Sequence, residues 1–542
     1  MAQPAPDVLA LHAAAQPEKP AVIDDRQGAG PSGPAQRAGG ERSHQAGRAP
    51  MTWSFAELNA QANRLGNALH GLGIRPGETV VWCGMNSPGV VRMMHAARKA
   101  GVTSVPLNYR LTAEEASYIV ADCGAAAVYA DAEFAEHFAR VRPAAPRLRH
   151  VLHYGLEGAA PPDGMHDADA LVAAASDAPP SVDWAAASDS TMIYTSGTTG
   201  RPKGAVRSGV GNPEQLKRLV EFVGYVPRDV YLTTGPLYHS GPGGFASIAH
   251  LLGNTVVLQR KFDAEDWLRL VEKYRVTTTF SAPTPIRLVC RLPDEVKRRY
   301  DARSLARMIA NAAPWSFALK EMNLRDFPED SLFEVYGSTE LGVDTILRPE
   351  DQRRKPGSCG RPAPGVELAL FDESGNRIEE PRVPGELFVK SPSVFQTYHN
   401  AQEKFEKGRR GDWLTVGDVA YRDEEGFYYI CDRKNDMIIS GGMNIYPAEI
   451  EAALDQHPHV LDVAVIGVPS EEWGESVHAV VVRNGPELDE AVLLAWAREH
   501  LAGYKLPRSV SFVEEIPRNA SGKILKKVLR EPFWKNAERR IG

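Results

Sequence analysis

Eleven residues, Tyr194-Thr195-Ser196-Gly197-Thr198-Thr199-Gly200-Arg201-Pro202-Lys203-Gly204, concentrate glycines, hydroxyls and one lysine in a single short run. Glycine lets the chain turn its N–H groups inward. A concave array of N–H groups, hydroxyls and a mobile cation binds phosphate oxygens. The apolar Met192 and Ile193 lead in, so the run leaves a buried strand. It is not a Walker A loop, because the lysine precedes the last glycine and Ala205 follows. Nor is it a dinucleotide fingerprint, which needs Gly-x-Gly-x-x-Gly after a strand.

Other runs carry compatible chemistry. In Tyr336-Gly337-Ser338-Thr339-Glu340, a ring beside a glycine turn can stack on a base, and the hydroxyl and carboxylate can hold phosphate and Mg²⁺. Asp418, closing Thr415-Val416-Gly417-Asp418, is a bidentate acceptor suited to a diol. Lys523 sits among Ser521 and Gly522, free to swing a compact charge into a site. The paired Gly441 and Gly442 allow close backbone approach to a thin ligand. His239 precedes a glycine-rich run, Gly241 to Gly244. No Gly-x-Ser-x-Gly elbow and no metal-ligand cluster occurs, which sets aside serine hydrolases and zinc enzymes.

These residues need a scaffold, and the chain of 542 residues is long enough for two to four domains. Leu58, Ala62, Leu65, Leu69 and Leu72 recur at helical spacing, with Gly73 as the cap. Thr79–Trp82 reads as a strand, 93–99 as a helix and 104–107 as a strand, and the alternation resumes through 256–258, 267–274 and 276–280. That pattern predicts an α/β fold of parallel sheets with helices on both faces, binding ligands beyond the strand C-termini. From about 436 the pattern changes to a smaller α+β unit: helix 447–456, strands 460–468 and 476–482, helix 489–501, strand 509–513. Residues 25–50 read as a mobile insertion between Ala21–Ile23 and a strand at Thr52–Phe55, and 159–190 as a second loose stretch with a helical patch near Leu171.

Charge narrows the partners. A net charge of −7 argues against nucleic acid, and Lys297-Arg298-Arg299 reads as a solvated helix face, with peripheral membrane contact left open. No apolar run is long enough to span a membrane, and Met1–Ala15 lacks a secretory pattern. Five scattered cysteines suggest free thiols and a cytoplasmic setting.

The phosphate loop resembles, residue for residue, that of the adenylate-forming superfamily, which contains acyl-CoA synthetases, peptide-synthetase adenylation domains and luciferases. The other motifs follow in family order up to Pro517-Arg518-Asn519-Ala520-Ser521-Gly522-Lys523-Ile524. The resemblance implies a large N-terminal AMP-binding domain (1–432), a hinge (433–435) and a smaller mobile C-terminal domain (436–542). It implies that Thr195, Ser196, Gly197, Thr198, Thr199 and Lys203 hold the β,γ-phosphates, with Thr195 and Glu340 at the Mg²⁺. Tyr336 would stack on adenine beside Ala312 and Ala313, with Gly337 opening the pocket floor. Thr339 would contact the α-phosphate, and Asp418 and Arg433 the ribose. Gly441 and Gly442 would line the pantetheine tunnel, His239 would border the acyl carboxylate, and Lys523 would be the adenylation lysine.

Asn311 replaces the usual Gly or Ser, Asn435 occupies the pivot, and Met443 stands where many relatives carry Glu. The implied activity is that of an acyl-CoA synthetase using ATP, Mg²⁺ and CoA, for a fatty or other bulky apolar acid. Alternatives are transfer of the acyl group to a carrier protein and a catalytically silent nucleotide-binding module. Aryl and alicyclic acids stay open, as does homodimerisation.

Overall fold

The computed structural model describes residues 7–25, 50–195, 202–207, 212–311, 315, 317–433, 436–441, 443–518 and 524–534. Two sheets, parallel at their centres, form the larger part. The first runs 361–362, Gly342–Leu347, Leu332–Ser338, Arg307–Ala310, Thr278–Ser281, Val230–Thr233, Thr255–Leu258, Pro20–Asp24, Met51–Ser54, with antiparallel pairs only at its two ends. The second runs Thr397–Tyr398, Lys203–Arg207, Thr191–Thr195, Thr103–Leu107, Thr79–Cys83, Ala127–Asp131, His150–Tyr154, His166–Asp167.

The central strands 103–107 and 127–131 are buried at every position, as a parallel strand covered on both faces must be. The largest core joins Val22 and Val256 of the first sheet to Val80 and Tyr129 of the second. Leu58 and Leu65 of helix Phe55–Gly71 pack there with Val90 and Met93 of helix Pro88–Ala100. Helices Ala264–Tyr274, Pro283–Cys290 and Phe317–Asp326 close the far side of the first sheet around Trp267, Ile286 and Leu319.

Helix Phe55–Gly71 takes over the last residue of the strand expected at Thr52–Phe55. Ser54 is its N-cap, bonded reciprocally with Glu57, so Phe55 is the first helical residue and not the end of a strand. At the other end Gly73 takes φ +77° and its N–H reaches His70 O, the left-handed turn a glycine permits. Residues 26–49 of the expected insertion lie outside the described residues, but Asp25 is anchored. It is 3 % exposed and takes Arg269, Lys273 and Tyr274. The stretch 159–190 is also tied down: apart from strand His166–Asp167 and helix Ala168–Ala174 it is irregular, yet Asn63, Arg64 and Asn67 bond its carbonyls from 173 to 178. Lys297 is 13 % exposed between Asp294 and Asp326, so only Arg298 and Arg299 of that basic run are solvated.

An antiparallel sheet around Glu367–Phe371, Gly385–Lys390, Asp418–Arg422 and Tyr428–Arg433 follows. The C-terminal sheet pairs Ile438–Ser440, Met443–Ile445, Val460–Ser470, Gly474–Arg483 and Ser509–Phe512, backed by helices Pro447–Leu454 and Glu490–His500. The strands Ile438–Ser440 and Met443–Ile445 and the tail helix Lys526–Trp534, which holds Pro532, are not among the elements expected from the sequence pattern. No helix among the described residues is long and apolar enough to cross a membrane.

Candidate active site

The chemistry-bearing segments leave the ends of strands in both large sheets and line one cleft. Thr195 ends its strand, Tyr336 to Ser338 end theirs, and Asn311 follows Arg307–Ala310. All border one cleft of about 2790 Å³, with Thr339, Glu340, His239, Asp418 and Arg433 also on its walls.

Glu340 is 8 % exposed, and its Oε1 accepts from Thr195 Oγ1 at 3.0 Å and Tyr398 OH at 2.9 Å. Thr339 Oγ1 meets Ser240 Oγ at 3.0 Å, while Arg207 holds the Thr339 carbonyl at 2.5 Å and the Ser393 carbonyl at 2.7 Å. One arginine therefore fixes the turn that presents both Thr339 and Glu340. His239 is the N-cap residue of helix Ser240–Leu251 and packs its ring on Tyr238, centroids 4.3 Å apart.

On the opposite wall Tyr336 OH donates to Asp418 Oδ2 at 2.5 Å, and Arg433 Nε lies 3.3 Å from Asp418 Oδ1. Burial, with Asp418 and Asp344 alongside, pushes the Tyr336 phenol far above its usual range, so it stays a donor. Burial opposes the Arg433 cation, but Asp418 and its neighbours outweigh it and the pKa is raised. Asp344 is wholly buried and neither carboxyl oxygen has a hydrogen-bond partner. It is the residue left over where the register of Tyr336↔Thr345 changes to Gly337↔Val343, a bulge beside the Tyr336 platform.

Several expectations change here. Gly337 does not open the pocket floor: a Cβ there would stand 1.9 Å from the Gly342 carbonyl oxygen, so the close backbone crossing requires it. Of the glycines after His239, Gly241 is packed on the Phe280 ring and Gly243 on the Leu237 carbonyl, and Gly244 alone faces open space. They let the helix approach its neighbours more than they enlarge the cavity. Gly441 sits at φ +56° against the Trp473 ring, in the C-terminal hairpin, and is not on the cleft wall. Lys203 lies opposite Thr195 in the strand pair. Ser196, Gly197, Thr198, Thr199, Ala312, Ala313, Gly442 and Lys523 fall outside the described residues, although Arg518 and Ile524 on either side of Lys523 line the cleft. Sequence reasoning missed Arg207, Ser240, Asp344, Tyr398 and Lys404, whose local context carries no phosphate-binding or nucleotide-binding pattern.

The donor set suits a hard cation. Glu340 offers carboxylate oxygen flanked by hydroxyls, and Mg²⁺ takes one or two carboxylates and completes its shell with substrate phosphate and water.

The family model for AMP-binding enzymes matches residues 9–399, and that for the AMP-binding enzyme C-terminal domain matches 449–523. A feruloyl-CoA synthase of Amycolatopsis sp. is 36 % identical over 89 % of this chain and 94 % of that protein. The long-chain-fatty-acid–CoA ligase FadD13 of Mycobacterium tuberculosis is 34 % identical over 89 % and 93 %. The solved o-succinylbenzoate CoA synthetase of Bacillus subtilis, in complex with its acyl-adenylate intermediate, superposes with a TM-score of 0.80 at 28 % identity, covering 99 % of both chains.

Proposed function

The chain belongs to the AMP-binding enzyme family, within the adenylate-forming superfamily, and on that premise we propose that it is an ATP-dependent acyl-CoA synthetase acting through an acyl-adenylate. The observation that carries this reading is the meeting of Thr195, Thr339, Glu340, Tyr336, Asp418 and Arg433 in one cleft.

The substrate carboxylate attacks the α-phosphorus of ATP, the bond to the β-phosphate breaks, and pyrophosphate leaves with the electron pair. The CoA thiolate then displaces AMP from the acyl carbonyl. Phosphoryl chemistry of this kind gains mainly from positioning and charge stabilisation. Asp418 and Arg433 take the ribose, the Tyr336 ring takes the adenine face, and Thr339 takes the α-phosphate. Glu340 and Thr195 would hold Mg²⁺, which would neutralise charge on the phosphates. His239 borders the carboxylate, and Lys523 would offset the charge that develops between carboxylate and α-phosphate in the first step.

Residues 1–432 and 436–542 act as two units about a hinge at 433–435. Arg518 and Ile524 line the cleft while Gly441 faces away, which supports the adenylating arrangement for this geometry. In the thioester step the segment around Gly441 and Gly442 replaces Lys523.

The acid is bulky and apolar. Beyond His239 the same cleft is lined by Trp82, Met94, Leu219, Phe245, Ile248 and Leu251, between the helices 88–100, 213–223 and 240–251. Pyrophosphate release measured over aliphatic acids of rising length and a series of aryl acids tests this. A KM that falls from acetate to the bulky apolar acids, with AMP and thioester formed on adding CoA, is expected. Acyl-adenylate that forms but transfers only to a carrier protein would replace CoA as acceptor. Absence of AMP with every acid would leave a nucleotide-binding module.

A further inference from the structure

The short helix Gln402–Lys407 brings Lys404 to the wall of the same cleft that Thr195 and Glu340 line. Its ammonium lies 5.4 Å from the centroid of the Tyr398 ring, whose hydroxyl holds Glu340. It also lies close enough to Lys203, the residue opposite Thr195 in the strand pair, for the two like charges to oppose each other.

Two lysine ammonium groups carry only donors, so neither satisfies the other. The carboxylate near Lys404, Glu340, already accepts from Thr195 and Tyr398, and Arg433 has Asp418. Burial together with Lys203 weakens the Lys404 cation more than Glu340 supports it. A polyanion seated between the two lysines removes the repulsion and supplies acceptors to both.

Within the adenylating reaction proposed above, on which this inference rests, the group that leaves on this side of Thr195 and Glu340 is pyrophosphate. We infer that Lys404 is a second cation for the outgoing pyrophosphate, acting with Lys203. It forms no covalent bond: the phosphorus–oxygen bond breaks, the electron pair departs on pyrophosphate, and Lys404 lies against that developing charge. Substrate carboxylate and α-phosphate stay with the residues already assigned.

The test needs no knowledge of the acid. Full-length wild type, Lys404→Ala and Lys404→Arg are titrated calorimetrically with magnesium pyrophosphate and, separately, with AMP, which has no β-phosphate. Loss of one charge-assisted contact predicts about tenfold weaker pyrophosphate binding in the alanine variant. Recovery in the arginine variant and unchanged AMP affinity are expected. Equal pyrophosphate affinity in wild type and Lys404→Ala overturns the inference, as does a parallel loss of AMP affinity or a wild type that does not bind pyrophosphate. If the pyrophosphate effect is found but no acid supports ATP–pyrophosphate exchange, the assignment of Lys404 stands and the synthetase reading falls.

Discussion

Replacing Lys526 by methionine should loosen the tail that carries Lys523. Lys526 Nζ is 2.9 Å from Glu451 Oε1 and 3.7 Å from Asp432 Oδ2, with the ammonium 11 % exposed, and Arg530 one turn on pairs with Asp436. Burial acts against the Lys526 cation, but Glu451, Asp432 and Asp436 outweigh it and raise its pKa to about 12. Burial raises the pKa of Glu451 and of Asp432, because one lysine cannot compensate two buried carboxylates fully. Methionine fills much the same volume but leaves both acids without their cation. Removing one partner of a buried pair costs about 3–5 kcal/mol.

The pH dependence has a definite sign. A lysine with a raised pKa contributes stability that is complete below its unfolded value and is lost only as pH rises through about 12, so the wild-type contribution is flat from pH 5 to 8. Carboxylates with raised pKa favour the folded state when protonated. In Lys526→Met they rise further, and the deficit should grow as pH increases from 5 to 8. Amide hydrogen exchange across 524–534 reads this directly: opening by about 3 kcal/mol less corresponds to roughly hundredfold faster exchange. Because Lys523 lies three residues before Lys526, ATP–pyrophosphate exchange should fall more than thioester formation from supplied acyl-adenylate. Unchanged protection of the tail helix, or a deficit that shrinks as pH rises, would refute the reasoning.

Two other substitutions probe the nucleotide wall. Gly337→Ala forces a methyl group to within 1.9 Å of the Gly342 carbonyl oxygen, so the strand pair must part; AMP affinity should drop by roughly tenfold to a hundredfold, equivalent to about 1–3 kcal/mol of overpacking, and an unaltered Kd would show that the turn yields freely. Asp344→Leu removes a buried carboxyl without hydrogen-bond partners. Burial, then Asp418, raises its pKa far above the carboxylate range, so wild-type stability falls as pH climbs from the unfolded value towards the folded one. The variant should be more stable by about 1–3 kcal/mol, with a gain in Tm that widens between pH 5 and 8; a lower Tm than wild type at pH 8 would contradict this.

Much of this was legible in the residues. Glycine, hydroxyl and lysine in one run demand a phosphate cradle whatever surrounds them, and apolar periodicity around Leu58–Leu69 demands a buried helix face. The α/β alternation follows from the same local rules, which act over a few residues and leave their mark in the chain. Hidden from it were interactions between segments far apart in sequence: Tyr398 on Glu340, Arg207 under Thr339, Lys404 against Lys203, Lys526 between Glu451 and Asp432. Each of those side chains is ordinary in its own neighbourhood. The purpose of Gly337 and Gly241 was likewise invisible, because a glycine looks the same whether it leaves space or closes it, and only the approaching Gly342 carbonyl and Phe280 ring decide. The sequence by itself determined which chemical groups the protein owns and the strands that carry them. The tertiary structure alone decided which charges share a cleft, since electrostatic and steric contact depend on distance in space and not on separation along the chain.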